Sequence, residues 1–178
     1  MLSGRELAET VSFISRFRYL YGEHLRMQQQ YAYTIDKAKP ADAPALVAIW
    51  EDSVRATHPF VAEEDVLFFK ELIVRDRVFE RMPVHVLRGG DGTIAGFMAA
   101  NDGMLDMLFL APAHIGKGGG RLLMEYALKH LGVNRVDVNE QNPDALAFYR
   151  HFGFEVVSRS AVDGFGKPYP ILHMALRS

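Results

Sequence analysis

The chain has 178 residues, 49% of them hydrophobic and 24% charged, with a net charge of −2 and no cysteine. This fits one globular domain able to bury its own core. It offers no basic footprint for nucleic acid or an anionic membrane, and it excludes disulfides, thiolate metal sites and a cysteine nucleophile. No apolar run approaches the roughly 18 residues of a spanning helix, and the N-terminus lacks the basic-then-apolar order of a secretion signal, so a cytoplasmic location is expected.

The segment Met1–Arg26 carries four arginines, no lysine and only a loose helical stripe, and reads as a poorly packed appendage. Met27 would suit the start of the compact part. "YAYTIDKAK" is the first predicted strand. "PADAPALVAIWEDSVRATH" is a helix with Ala45, Leu46, Ile49 and Trp50 on one face, and "EEDVLFFKELIVRDRVFERM" is a second helix. "PVHVLRGGDGTIAGFMAAND" is a hairpin around Gly-Gly-Asp-Gly, and "MLDMLFLAP" is a strand that is apolar on both faces and therefore central.

Next comes "HIGKGGG", with glycine at 116, 118, 119 and 120, leading into a helix lined by Leu123, Met124, Ala127, Leu128 and Leu131, with Glu125 four before Lys129. "NRVDVNE" is a strand. "NPDALAFYRHFG" is a short helix with Asn142 as N-cap, Pro143 at the first position and Gly153 past its end. "FEVVSRSAV" and "ILHMALR" close the chain, joined by "DGFGKPYP". The order β-α-α-β-β-β-α-β-α-β-β describes an α/β domain with a mixed sheet.

A strand that runs through a glycine loop into a helix start makes an anion site, because unpaired N–H groups converge there and the helix dipole favours negative charge. A Walker loop is excluded, since Lys117 is followed by Gly118. A Gly-x-Gly-x-x-Gly fingerprint is excluded by Arg121 in the sixth place from Gly116 and Leu123 in the sixth from Gly118. A plain turn without a ligand needs fewer glycines than this.

The stretch "LFLAPAHIGKGGGRLLMEYAL", followed by "VDVNEQNPDALAFYRHFGFEVVSRS", resembles the acetyl-CoA-binding core of the GNAT N-acetyltransferase superfamily. The family loop reads Gln/Arg-x-x-Gly-x-Gly/Ala. Gly118 and Gly120 match its last two places, and Ile115 stands where Gln or Arg is usual. "AIWEDSVRATHPFV", "MLDMLFL", "VNEQN" and "DGFGKPYPIL" further resemble YjaB-like bacterial acetyltransferases.

The resemblance implies a mixed, mostly antiparallel central sheet, flanked by helices, whose fourth and fifth strands splay apart. It covers residues 33–178 as an N-acetyltransferase domain and leaves 1–32 as an extension, helical or disordered. It also implies acetyl-CoA as co-substrate, with no metal, and a small-molecule or peptide amine as acceptor. Nucleic acid and membrane are not expected partners, and the chain would be a monomer or homodimer.

By the same resemblance, the backbone of Leu108 and Leu110 would pair with the pantetheine arm. Ile115 and the amides of Gly116, Lys117, Gly118, Gly119, Gly120 and Arg121 would line the pyrophosphate site. Asn142 would bind the arm, with Asn139 beside it. Tyr149 aligns with the general acid that protonates the departing thiolate. Tyr149 also falls on a stripe with Ala145, Phe148 and Phe152, so a plain core residue is the other reading.

Three residues are candidates for the base. His58 has a side chain suited to proton relay near neutral pH, Asp106 is a lone carboxylate in an apolar strand, and Glu140 lies at a strand end. Packing or hydrogen-bonding roles are open for His58 and Asp106, and water could serve as the base. Glu51, Asp52, Asp106 and Glu140 together would suit a cationic acceptor. The other histidines show no metal-ligand spacing. A non-catalytic acyl-CoA-binding module with the same fold and a nucleotide-binding protein are the alternatives.

Overall fold

The computed structural model describes residues 33–177, so the expectations for the preceding segment lie outside the described residues. The strands are β1 (Thr34–Lys37), β2 (Val84–Arg88), β3 (Ile94–Asn101), β4 (Met104–Leu110), β5 (Arg135–Asn139), β6 (Phe154–Ser160) and β7 (Ile171–Leu176). The α-helices are α1 (Ala43–Thr57), α2 (Glu63–Arg75), α3 (Val78–Arg81), α4 (Gly119–His130) and α5 (Pro143–His151). The sheet order is β1-β2-β3-β4-β5-β7-β6, antiparallel throughout except for the parallel pair β4–β5.

Alternation along the strands gives each face of the sheet its own core. Leu87, Met98, Leu105, Val136 and Met174 pack with Leu123, Met124 and Ala127 of α4 and Tyr149 of α5. Val86, Phe97 and Ala99 face the other way, onto Leu46, Ile49, Trp50 and Val54 of α1 and Val66 and Ile73 of α2. Of the predicted α1 stripe, Ala45 is exposed, and the buried face runs on instead through Ser53 and Val54.

The segment predicted as one second helix is two. Val66 and Ile73 lie seven apart on the buried face of α2. Continuing that helix would turn Arg77 and Glu80 toward the core and leave Phe79 off the stripe. A left-handed residue, Arg77 (φ 50°), breaks the helix and restarts it as α3. Phe79 then packs edge-on against Phe97 with ring centroids 5.1 Å apart, while Arg77 Nε donates to Glu80 at 2.9 Å outside. Phe79 is 6% exposed. Truncation by Phe79→Ala is expected to cost about 3–5 kcal/mol, read from the midpoint of chemical denaturation.

One predicted ion pair is also replaced. Glu125 accepts from Arg121 Nε at 2.6 Å, one turn before it, rather than pairing with Lys129. Arg121 sits in the first turn of α4, where a cation opposes the helix dipole, and a carboxylate within reach offsets that.

Candidate active site

β4 and β5 hold together only at Met104↔Arg135 and Leu105↔Val136. Beyond that point they part. Against β3, Ala99 pairs with Met107 and Ala100 with Leu105, so Asp106 is an extra residue and the strand bulges there. Ala111 N–H donates to Ala95 C=O at 2.9 Å. Stepping back by two, the polar backbone of Phe109 and Met107 faces β3, and that of Leu108 and Leu110 faces the opening.

The end of α4 stands over the same opening. The first helical bond runs from Leu122 N–H to Gly118 C=O at 3.1 Å, which leaves the N–H groups of Gly119, Gly120 and Arg121 at the open end of the helix. The glycines have different reasons. Gly116 and Gly118 take positive φ, 76° and 84°. A Cβ on Gly119 would lie 2.7 Å from Leu87 Cδ2, so that glycine lets the helix approach the sheet. A Cβ on Gly120 would meet only Leu110 at 3.6 Å and Phe148 at 3.7 Å, which are ordinary contacts. The same distances tie the loop, β4 and α5 into one wall. Ile115 and Lys117 lie on the outer, exposed part of the loop.

Asn142, 7% exposed, caps α5 by accepting from Ala145 N–H at 3.0 Å. Its Nδ2 reaches His58 Nε2 at 3.4 Å. Asn142 N–H in turn donates to Asn139 C=O at 2.9 Å, which fixes the turn between β5 and α5. His58 closes α1, and its ring lies 5.4 Å from Phe60 and 6.4 Å from Phe109 by centroids. Burial holds its imidazole below the ordinary value, so it is neutral near pH 7.

Tyr149 is 8% exposed, wedged between Phe148 and Phe154 with centroids at 5.3 and 6.1 Å. Among the described residues its hydroxyl has no hydrogen-bond partner, and burial pushes the phenol well above its usual range. The predicted stripe of Ala145, Phe148, Tyr149 and Phe152 does face the core.

The other carboxylates are placed differently. Asp106, at the bulge, is raised by partial burial and by the nearby charge of Asp137, which itself bonds His173 Nδ1 at 2.7 Å. Glu140 is gripped by Arg159 through two bonds of 2.9 and 2.6 Å, which hold it below the ordinary carboxylate range. Glu51 is neutralised by Arg55 at 2.8 Å and Lys70 at 2.6 Å.

Two contributors escape sequence reasoning. Gly96 is one: a Cβ there would lie 2.4 Å from Leu110 Cδ2 and 2.6 Å from Phe109 C=O, so its absence seats the end of β4. A lone glycine inside a strand is the signal that could have found it. Thr57 is the other, bonded to His58 Nδ1 through Oγ1 at 2.8 Å.

No helix among the described residues is long and apolar enough to cross a membrane, and no group of three or more His, Asp or Glu side chains among them could hold a metal ion.

The model of the acetyltransferase (GNAT) domain matches residues 58–168. Peptidyl-lysine N-acetyltransferase YjaB of Escherichia coli is 38% identical over 143 residues, 80% of this chain and 95% of that protein. The solution structure of its apo form superposes with a TM-score of 0.74, at 38% identity, over 80% of this chain and 96% of that one. The PaiA N-acetyltransferase of Thermoplasma acidophilum, solved with coenzyme A, shares the fold at 21% identity, with a TM-score of 0.61 over 82% of this chain and 99% of that one. A mostly antiparallel seven-stranded sheet split at its parallel pair, together with these matches, makes the chain a member of the GNAT acetyltransferase family.

Proposed function

We propose that this enzyme transfers acetyl from acetyl-CoA to a primary amine, the side chain of a lysine in a polypeptide, by direct attack with both substrates bound. The observation that carries the reading is the split of β4 from β5, with an open helix end over it, unpaired strand backbone along it, and a neutral imidazole beside Phe109 joined to the cap of α5; the buried phenol of Tyr149 on α5 supports it. The lysine acceptor draws on the printed activity of the YjaB relative.

Acetyl-CoA brings an activated thioester. The N–H groups of Gly118, Gly119, Gly120 and Arg121 would hold its pyrophosphate, with Gly116 and Lys117 in the approach and Ile115 against it. Leu108 and Leu110 would bind the pantetheine arm as an added strand, and Asn142, with Asn139 behind it, would donate to its amides. A lysine amine has a pKa of about 10.4 and must give up one proton to solvent before it can attack, so the neutral form is the nucleophile. As its nitrogen bonds the thioester carbon and the C–S bond breaks, His58 Nε2 would accept the second proton from that nitrogen, and Tyr149 would give its hydroxyl proton to the departing thiolate and regain one from solvent. Among the base candidates, His58 is favoured because Glu140 is engaged by Arg159.

The test is thiol release on lysine peptides and small amines. His58→Gln is expected to lower kcat about 10²-fold. The pH profile adds a sign. A histidine whose protonation is suppressed by burial charges only below about 6.5, so activity is present above that pH and lost as pH falls below it. That acid limb should disappear in His58→Gln. A protein that binds acetyl-CoA yet releases no thiol with any amine would overturn the reading in favour of a binding module.

A further inference from the structure

The imidazole of His58 is held at both nitrogens by groups whose own hydrogen-bond roles are already fixed. Thr57 Oγ1 lies 2.7 Å from Ser53 C=O, which can only accept, so the threonine hydroxyl proton points there. Its oxygen, 2.8 Å from His58 Nδ1, is left as an acceptor, and Nδ1 must carry the hydrogen. The other side is independent. Ala145 N–H donates to Asn142 Oδ1, which turns the amide so that Nδ2, a donor, faces His58 Nε2. A donor at Nε2 requires a bare lone pair there. The hydrogen bonds from α1 and from the cap of α5 select the same tautomer.

We infer that Thr57 is a positioning residue that locks His58 in the Nδ1–H tautomer and so presents Nε2 as the proton acceptor. The inference rests on the reading of His58 as the base. The contact to Asn142 is long, 3.4 Å, and holds the ring weakly, whereas the Thr57 bond is of ordinary strength. When Nε2 takes a proton from the amine, the positive charge spreads over a ring whose Nδ1–H still points at Thr57 Oγ1. The opposite tautomer would offer the amine an N–H and no lone pair.

Nitrogen-15 shifts of the His58 ring separate a protonated from a bare nitrogen. They are to be read at neutral pH, alongside kcat and KM, in the full chain and in Thr57→Val and Thr57→Ser. The unmodified chain should show protonated Nδ1 and bare Nε2. Thr57→Val keeps the shape and loses the acceptor, so the Nε2–H form should become populated and kcat should fall about tenfold with KM for acetyl-CoA unchanged. Thr57→Ser should restore both. An unchanged tautomer in Thr57→Val overturns the inference, as does an unchanged kcat in that variant when His58→Gln is inactive. If the tautomer shifts and both Thr57→Val and His58→Gln turn over normally, the base reading has failed, and with it the catalytic part of the inference, while the tautomer assignment stands.

Discussion

Tyr149→Phe is expected to lower kcat by about 10²–10⁴ while the affinity for acetyl-CoA changes far less. The substitution keeps the ring against Phe148 and Phe154 and deletes one oxygen. Because that oxygen bonds no described protein group, its loss should leave stability within about a hydrogen bond, roughly 0.5–1.5 kcal/mol, and a gain would be no surprise. The acid must match what it protonates. Burial makes the phenol a weaker acid than in water, but a thiolate formed against the same apolar wall is penalised for its charge in the same way, and the two proton affinities rise together. The hydroxyl also stays protonated across the whole practical pH range, so the alkaline limb it would set lies above pH 10. Steady-state kinetics beside a denaturation curve decide the matter: near-normal kcat in the folded variant would return Tyr149 to the core.

Gly120→Glu is expected to weaken acetyl-CoA binding greatly without unfolding the protein. The backbone tolerates a side chain here, because the new Cβ meets only Leu110 and Phe148 at ordinary contact distances. The carboxylate would sit at the open end of α4, where negative charge is favourable, so stability should hold or rise slightly. The same charge occupies the place proposed for the pyrophosphate. Two like charges about 4 Å apart at an effective dielectric of about 20 repel by about 4 kcal/mol, which is about 10³-fold in Kd. Calorimetry on the folded variant is the measurement. An unchanged Kd would place the cofactor phosphates elsewhere. Gly119 would be the wrong site for this test, because a Cβ there would collide with Leu87 and confound folding with binding.

Much of this architecture is legible in the sequence because its signals are local. Asn142, Pro143 and Gly153 bracket α5 as capping chemistry requires. The Gly-Gly-Asp-Gly turn closes β2 onto β3, and the glycine loop leads into α4. What escapes the sequence depends on distance. The helix break at Arg77 exists to bring Phe79 onto Phe97, a contact that helical periodicity cannot anticipate. The insertion of β7 between β5 and β6 is set by pairing energies across the sheet. Of the candidate site, the glycine loop stands out by residue type and spacing, whereas Asn142 does so only as the N-cap of α5, and its role toward the acyl donor is what the family resemblance implies. The contact that joins His58 to Asn142 spans 84 residues and shows only in three dimensions. Thr57 carries no motif at all, and it matters only because Ser53 C=O stands one turn before it.

The split between β4 and β5 has a mechanical consequence. β1–β4 form one antiparallel ladder interrupted only by bulges, as do β5, β7 and β6, and the two ladders are joined by two register pairs, Met104↔Arg135 and Leu105↔Val136. The weakest seam of the sheet is therefore the place where the acyl donor is proposed to lie. A molecule laid along that seam would supply the missing cross-links and splint the two halves into one cooperative unit. Catalytic readiness and global rigidity would then rise together on loading, with no lid and no hinge loop required.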